Sequence, residues 1–275
     1  MVILRNRKLV YIHIHKTGGE TVEQSLTQIE KPNDIILDAK HPDVTDDFQQ
    51  RFGLNKHSTA LEVARTLGLD IWDTHFSWAT VRNPYARMAS VYGYMAAISE
   101  PRLSLIGYPL NAAPEAQRAW VESADYPRKD QWAFAGVRAY LSTRGSRRPF
   151  SDFLRHPLLR ANEPAYFSQF SRVSNAAGSA LLIKRAVKLE SLSDLWPQLC
   201  SEMGLPQLQL RTVNETPLRW KRSVADLFVD PADVELINVI HTDDFHWFGY
   251  DKMGKDPVPR IYTVATSDEM PGNAI

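Results

Sequence analysis

The segment YIHIHKTGGETVEQSL, residues 11–26, constrains the fold more than any other part of the chain. The alternating, β-branched stretch Leu9–Ile14 predicts a strand. A helical pattern begins at Glu20 and ends before Pro32. A strand that passes through paired glycines into a helix leaves the first helical N–H groups without partners, and the helix dipole there favours negative charge. The segment therefore predicts an anion-binding loop in an α/β protein.

The side chains of this loop suit a phosphate or a sulfate. Gly18 and Gly19 allow the backbone to curl and to approach an anion closely, because no Cβ intervenes. Lys16 adds a positive charge, and Thr17 and Thr21 add hydroxyl donors. The lysine precedes the glycines, unlike the lysine that ends the P-loop of ATPases. A tight strand-to-helix turn with a solvated lysine remains the alternative.

A second segment with similar chemistry is FSWATVRNPYARMASVY, residues 76–92. Its first six residues predict a buried strand, and Asn83 followed by Pro84 predicts the start of a helix. Arg82 lies at the carboxyl end of the strand, where ligands bind in open parallel sheets. Ser90 follows two turns into the helix. Arg82 could bind a phosphate together with Ser90, or it could form a structural ion pair.

The two segments together resemble the cofactor motifs of the sulfotransferases. HKTGGETVEQSL resembles their 5′-phosphosulfate loop, P-K-T-G-G-T-S/T-L, and VRNPYARMASVY resembles their 3′-phosphate motif, V-R-D/N-P-x-x-R-x-x-S-x-Y. The order and combination resemble the carbohydrate-sulfotransferase type, as in soluble bacterial members. VKLESLSDLWPQLCSEMGL and DDFHWFGYD agree more loosely with later family segments. The resemblance covers about residues 8–251, and 99–165 matches poorly.

The resemblance implies 3′-phosphoadenosine 5′-phosphosulfate (PAPS) as the donor, the product PAP, and no required metal. It implies that Arg82 and Ser90 bind the 3′-phosphate and that Arg87 braces its helix. His15 departs from the usual proline and Glu20 from the usual threonine or serine, which places a carboxylate near an anion. The residues implied for the 5′ side are Lys16, Thr17, Gly18, Gly19, Glu20 and Thr21.

Two residues are candidates for the chemistry of sulfuryl transfer. Lys16 is suited to stabilise charge on the leaving phosphate. His57 is the candidate general base, because related bacterial sulfotransferases have a similar K-H-x-S/T segment and histidine titrates near neutral pH. A solvent-exposed histidine at a helix start is the alternative, and a glutamate or aspartate could take the role. We expect His13 to point into the core or the sheet flank and His75 to be structural.

The remaining pattern predicts the architecture. Strands alternate with helices, with a further strand within 180–192 and helices within 58–68, 191–205 and 230–245. This order predicts an α/β protein with three layers and a mainly parallel central sheet, and the sulfotransferase resemblance implies a P-loop-like fold. We expect one sulfotransferase domain over residues 1–254, an acceptor-recognition region at 99–165 and a loosely structured tail at 255–275.

Composition narrows the function classes. Lys plus Arg and Asp plus Glu both number 32, so no overall charge favours nucleic acid, and any anion site is local. One cysteine and no long apolar run predict a cytoplasmic protein without a membrane span, and the oligomeric state is not readable. The expected activity is sulfate transfer to a hydroxyl, on a saccharide or another small molecule. A nucleotide kinase or NTPase and a non-catalytic PAP-binding protein are the alternatives.

Overall fold

The structure is a computed structural model that describes residues 1–38, 40–211, 213 and 217–254. The tail predicted at 255–275 lies outside the described residues.

A five-stranded mixed sheet forms the centre, with the strand order β3-β1-β2-β4-β5. Strands β2, β4 and β5 are parallel, whereas β1 pairs antiparallel with both β2 and β3. The strands are β1 (Val2–Leu4), β2 (Leu9–Ile12), β3 (Ile35–Ile36), β4 (Phe76–Val81) and β5 (Arg185–Lys188).

Helices account for most of the remaining regular structure in the described residues. The α-helices are α1 (Gly19–Leu26), α2 (Pro42–Phe52), α3 (Ala60–Leu67), α4 (Leu69–Thr74), α5 (Pro84–Ser99), α6 (Pro114–Glu122), α7 (Ala135–Thr143), α8 (Pro149–Arg155), α9 (Pro157–Asn162), α10 (Phe170–Val173), α11 (Leu192–Glu202), α12 (Val224–Leu227), α13 (Pro231–Ile240) and α14 (Thr242–Phe248). Short 3-10 turns cover Arg5–Arg7, Thr27–Ile29, Glu100–Ile106, Asp130–Ala133, Pro164–Tyr166, Leu189–Ser191 and Leu218–Trp220.

Both faces of the sheet carry an apolar core, as side-chain alternation along the strands requires. Val10 and Ala79 face a core shared with α3 and α5. Tyr11 and Trp78, their neighbours along the strands, face a second core shared with α1 and α11. The chain thus forms helix, sheet and helix layers, which confirms the predicted α/β class.

The local patterns and the long-range pairings differ in how well the sequence predicted them. Strand β4 has its predicted bounds, and α5 begins at Pro84 after the Asn83 cap, as expected. The antiparallel strands β1 and β3 were missed, because strands of three and two residues carry too little periodicity. Helix α11 continues through Pro197.

The loop between β2 and α1 owes its shape to close packing at the two glycines. Gly18 has φ = +79°, a conformation that favours glycine, and a Cβ there would lie 2.5 Å from Cδ1 of Leu189. A Cβ on Gly19 would lie 2.1 Å from Cδ2 of His13. Lys16 is also in the left-handed region, with φ = +65°. The glycines therefore let the loop pack tightly against Leu189 and the His13 ring.

Replacing Gly19 with alanine tests this packing. Alanine is the better helix former, yet the collision with the His13 ring should lower the free energy of unfolding by about 1–3 kcal/mol. Thermal unfolding should show a Tm lower by several degrees. In a His13→Ala background the same change should be neutral or stabilising, because the colliding ring is gone. Equal destabilisation in both backgrounds would contradict the packing.

Candidate functional site

A cleft of about 730 Å³ opens at the carboxyl ends of the three parallel strands. The loop after β2, one flank of α5 and the start of α11 line the cleft, together with Val213 and part of the segment 217–224. The predicted site residues that line it are Lys16, Gly18, Gly19, Glu20, Thr21, His57, Arg82 and Ser90. No residue of 99–165 is among the described lining residues, so acceptor recognition by that region stays a prediction.

Thr17 does not offer its hydroxyl to this cleft. The side chain is fully buried, its Oγ1 donates to the Ile14 carbonyl oxygen at 2.9 Å, and it lies 3.2 Å from Oγ1 of Thr80. In this structure the Thr17 hydroxyl therefore does not face the cleft, and Thr17 as a donor-binding residue stays a prediction. The hydroxyl instead ties the loop to the sheet, because a buried hydroxyl needs a hydrogen-bond partner.

Lys16 reaches across the cleft to α5. Its Nζ lies 3.9 Å from the centroid of the Tyr94 ring, a cation–π contact. Burial and then the nearby charge of Arg82 lower the pKa of Lys16, Glu20 and Glu163 oppose the shift, and the resulting pKa is about 8. Sequence reasoning missed Tyr94, although it lies one helical turn after Ser90 and so shares its face of α5. A cation whose charge is poorly solvated is favourably placed for an anion.

Two arginines connect the loop to the second motif. Arg82 donates from Nη1 to the carbonyl oxygen of Lys16 at 3.4 Å, and burial lowers the pKa of its guanidinium. Arg87 is fully buried and donates from Nε to the His15 carbonyl oxygen at 2.9 Å and from Nη1 to that of Phe167 at 2.7 Å. Arg87 therefore braces the loop between β2 and α1 as well as its own helix, without lining the cleft.

Glu20, which stands where the family motif usually has threonine or serine, has a cationic partner. Its Oε1 lies 2.9 Å from Nζ of Lys56, which is also 3.6 Å from Oε2 of Glu23. The carboxylate is thus compensated from outside the loop. Sequence reasoning missed Lys56 because the pairing spans 36 positions.

The described lining of the cleft is strongly basic. Glu20 is its one acidic residue, whereas its cations are Lys16, Arg82, Lys221 and Arg222. The last two belong to the basic RWKRS segment, whose Trp220 also lines the cleft. In a chain of zero net charge, this concentration of cations creates a local positive potential.

His57 is held in one tautomer. Its Nδ1 lies 3.0 Å from the carbonyl oxygen of His13, which can only accept, so Nδ1 carries the proton and Nε2 has the free lone pair. The ring stacks on His15 with centroids 3.6 Å apart. Burial, then the neighbouring His13, lowers the pKa of His57 to about 2, so the ring is neutral.

His13 is the histidine that the sequence placed in the core. It is 5 % exposed, and its Nδ1 lies 2.8 Å from Oε1 of Glu23. Its ring packs edge-on to His57, with centroids 4.6 Å apart, and it borders the cleft. His75 is buried with Nδ1 2.7 Å from the Ile71 carbonyl oxygen, away from the cleft, in keeping with the structural role expected.

Two features are absent from the residues that the structure describes. Residues 1–38, 40–211, 213 and 217–254 contain no group of three or more His, Cys, Asp or Glu side chains that could hold a metal ion. No helix in that part of the chain is long and apolar enough to cross a membrane.

A search of curated proteins and a search of solved structures found no match.

A model of the sulfotransferase family matches residues 1–251, which is nearly the whole chain. The match includes both the anion loop and the Arg82 motif that the fold brings to one cleft. The chain therefore belongs to the sulfotransferase family.

Proposed function

We propose that the protein transfers a sulfuryl group from PAPS to a hydroxyl group of a saccharide or another small molecule. The observation that carries the proposal is the convergence of two separate anion-suited segments on one basic cleft. PAPS has an anionic group at each end of its nucleoside, and it would supply the sulfuryl group on its 5′-phosphate. Two cationic segments that line one cleft suit such a donor better than they suit a single phosphate.

The residues present fit the donor. The backbone at the start of α1, with Lys16, Gly18, Gly19 and Thr21, would hold the 5′-phosphosulfate. Arg82 and Ser90 would hold the 3′-phosphate, on the flank of α5. Lys221 and Arg222 add positive charge at the same cleft. The Glu20 carboxylate opposes anion binding less than its position suggests, because Lys56 compensates it.

The chain's own residues can perform what transfer requires, which is orientation, charge stabilisation and removal of a proton. Lys16 can stabilise negative charge on the leaving phosphate, since its ammonium group is buried and held against Tyr94. Once the donor is bound, His57 would accept the acceptor's proton at Nε2, because Nδ1 is already bound to the His13 carbonyl oxygen. Negative charge brought into the cleft would raise the pKa of His57 and make it a better base.

Binding of PAP tests the donor assignment. PAP at a hundredfold excess over its Kd should raise the free energy of unfolding of the wild-type protein by about 2.7 kcal/mol, and so raise its Tm. EDTA should not change the rise in Tm. Arg82→Ala should weaken PAP binding by about 10- to 100-fold, since it removes a charged phosphate ligand. Arg51→Ala, on the exposed face of α2, is the matched control and should bind like the wild type.

Two outcomes would overturn the assignment. A wild-type protein that PAP does not stabilise is not a PAPS-dependent enzyme. Stabilisation by ATP only when magnesium is present would favour a nucleotide kinase or NTPase.

The general base can be tested by comparing two variants. His57→Ala should lower kcat by about 10²- to 10⁴-fold in transfer of radiolabelled sulfate from PAPS to a panel of hydroxyl acceptors. Glu20→Gln should keep most activity, because its carboxylate is already paired with Lys56. Loss of activity in Glu20→Gln, with activity retained in His57→Ala, would assign the base to Glu20 instead. Both variants should still bind PAP.

Lys16 provides a test by pH. With a pKa of about 8 in the free protein, Lys16 is about half protonated at pH 8. Bound PAP favours the charged amine and raises this pKa, so binding at pH 8 should take up about half a proton. At pH 6.5 Lys16 is already charged and should take up almost none. Calorimetry in buffers of different ionisation enthalpy measures this uptake.

Lys16→Arg is the control for this proton uptake. Its guanidinium stays charged across the whole range, so the uptake at pH 8 should disappear while PAP still binds. Unchanged uptake in Lys16→Arg would assign the proton to another group.

A further inference from the structure

The backbone of Arg82 is held by a side chain from a distant part of the sequence. Gln169 is fully buried and accepts from the Arg82 N–H at Oε1, 2.8 Å away. Its Nε2 donates to the Arg82 carbonyl oxygen, also at 2.8 Å. One amide side chain therefore satisfies both backbone groups of the residue that joins β4 to α5. Only an amide side chain offers a donor and an acceptor side by side in this way.

Asp244 fixes the orientation of that amide. Its Oδ2 accepts from Nε2 of Gln169 at 3.1 Å and lies 3.0 Å from Nδ1 of His241. Its Oδ1 accepts from the Phe170 N–H at 2.8 Å and from Oγ of Ser168 at 2.6 Å. Burial alone would raise the pKa of Asp244, but the His241 hydrogen bond and nearby positive charges lower it to about 2. A carboxylate accepts only, so the amide nitrogen must face Asp244 and the amide oxygen must face the Arg82 N–H.

A second side chain holds the next residue. Glu190 accepts from the Asn83 N–H at Oε1, 2.8 Å away, and from the Tyr250 hydroxyl at Oε2, 3.0 Å away. Its negative charge also favours the charged form of Arg82. The peptide between Arg82 and Asn83 is thus held from both sides, by Gln169 and by Glu190.

The guanidinium of Arg82, in contrast, is not held by an ion pair. Within residues 1–38, 40–211, 213 and 217–254, no carboxylate forms a salt bridge with it, and its hydrogen bond goes to the Lys16 carbonyl oxygen at 3.4 Å. A carboxylate that paired with this guanidinium would compete with the phosphate for it, so an ion pair cannot be what positions the side chain. Its direction must then be set largely from its backbone.

We propose that Gln169 and Glu190 are positioning residues for the 3′-phosphate of the donor, acting through the backbone of Arg82 and Asn83. This rests on the proposed function, since it assigns the 3′-phosphate to Arg82. Asp244 holds Gln169, and Tyr250 holds Glu190, by the hydrogen bonds described above. The role extends the site to segments that lie about 87 to 168 positions from Arg82 in the sequence.

Gln169→Leu removes both contacts to Arg82 while nearly keeping the side-chain volume. Because the lost contacts act on Arg82, we expect PAP to bind about 10- to 30-fold more weakly, as measured by calorimetry. Adenosine 5′-phosphosulfate, which lacks the 3′-phosphate, should bind within about twofold of wild type. Gln198→Leu is the matched control, because Gln198 is exposed on α11 and donates to Glu202.

A double-mutant cycle distinguishes positioning from a general structural role. In an Arg82→Ala background, Gln169→Leu should weaken PAP binding no further, because the guanidinium that Gln169 positions is already absent. Equal losses for PAP and adenosine 5′-phosphosulfate, or a full additional loss in the Arg82→Ala background, would overturn the proposal. A wild-type protein that does not bind PAP would instead contradict the proposed function itself.

Tyr250→Phe keeps the test decisive if Gln169→Leu does not fold. It removes only the hydroxyl that donates to Glu190. We expect PAP to bind about two- to threefold more weakly and adenosine 5′-phosphosulfate to bind unchanged. If Gln169→Leu is unfolded and Tyr250→Phe binds both ligands like the wild type, the proposal is wrong.

Discussion

The candidate site depends on the parallel pairing of β2 with β4, which runs from Leu9 opposite Phe76 to Ile12 opposite Ala79. Parallel strands end at the same edge of a sheet, so the loop after β2 and the Arg82 turn after β4 are brought side by side. Arg82 contacts the Lys16 carbonyl oxygen across this edge. Two motifs that lie 66 positions apart therefore act on one cleft only because these two strands pair.

The cleft concentrates cations that the free protein solvates poorly. Burial lowers the pKa of both Lys16 and Arg82, and the charge of Arg82 adds to the lowering at Lys16. Part of the folding free energy is thus used to hold like charges close together, which an anion can relieve. Glu20 does not relieve it, because Lys56 pairs with that carboxylate. Affinity for an anion and reduced stability of the free protein have the same physical origin here.

The sequence predicted those features that depend on local patterns. Strand β4, the Asn83 cap and the passage from β2 through paired glycines into α1 follow from spacing and from residue type. The sequence did not predict contacts between residues far apart in the chain, such as Lys56 with Glu20. It also did not predict strands too short to show an alternating pattern, such as β3. The contact of the Thr17 hydroxyl with Thr80 of β4 was likewise not visible in the sequence, because it joins residues 63 positions apart. Gln169 could not have been found from its neighbours, because its role exists only beside Arg82.

The proposed base and the proposed donor are electrostatically linked. His57 is neutral with the tautomer a base requires, yet its pKa of about 2 makes it too weak a base to take a proton from a hydroxyl group. Burial is the main cause of that low pKa, and a buried cation gains most from a nearby anion. A donor bound at Lys16 would therefore strengthen the base that acts on the acceptor. Such a site favours proton removal only when the sulfuryl group is in place to receive the resulting alkoxide.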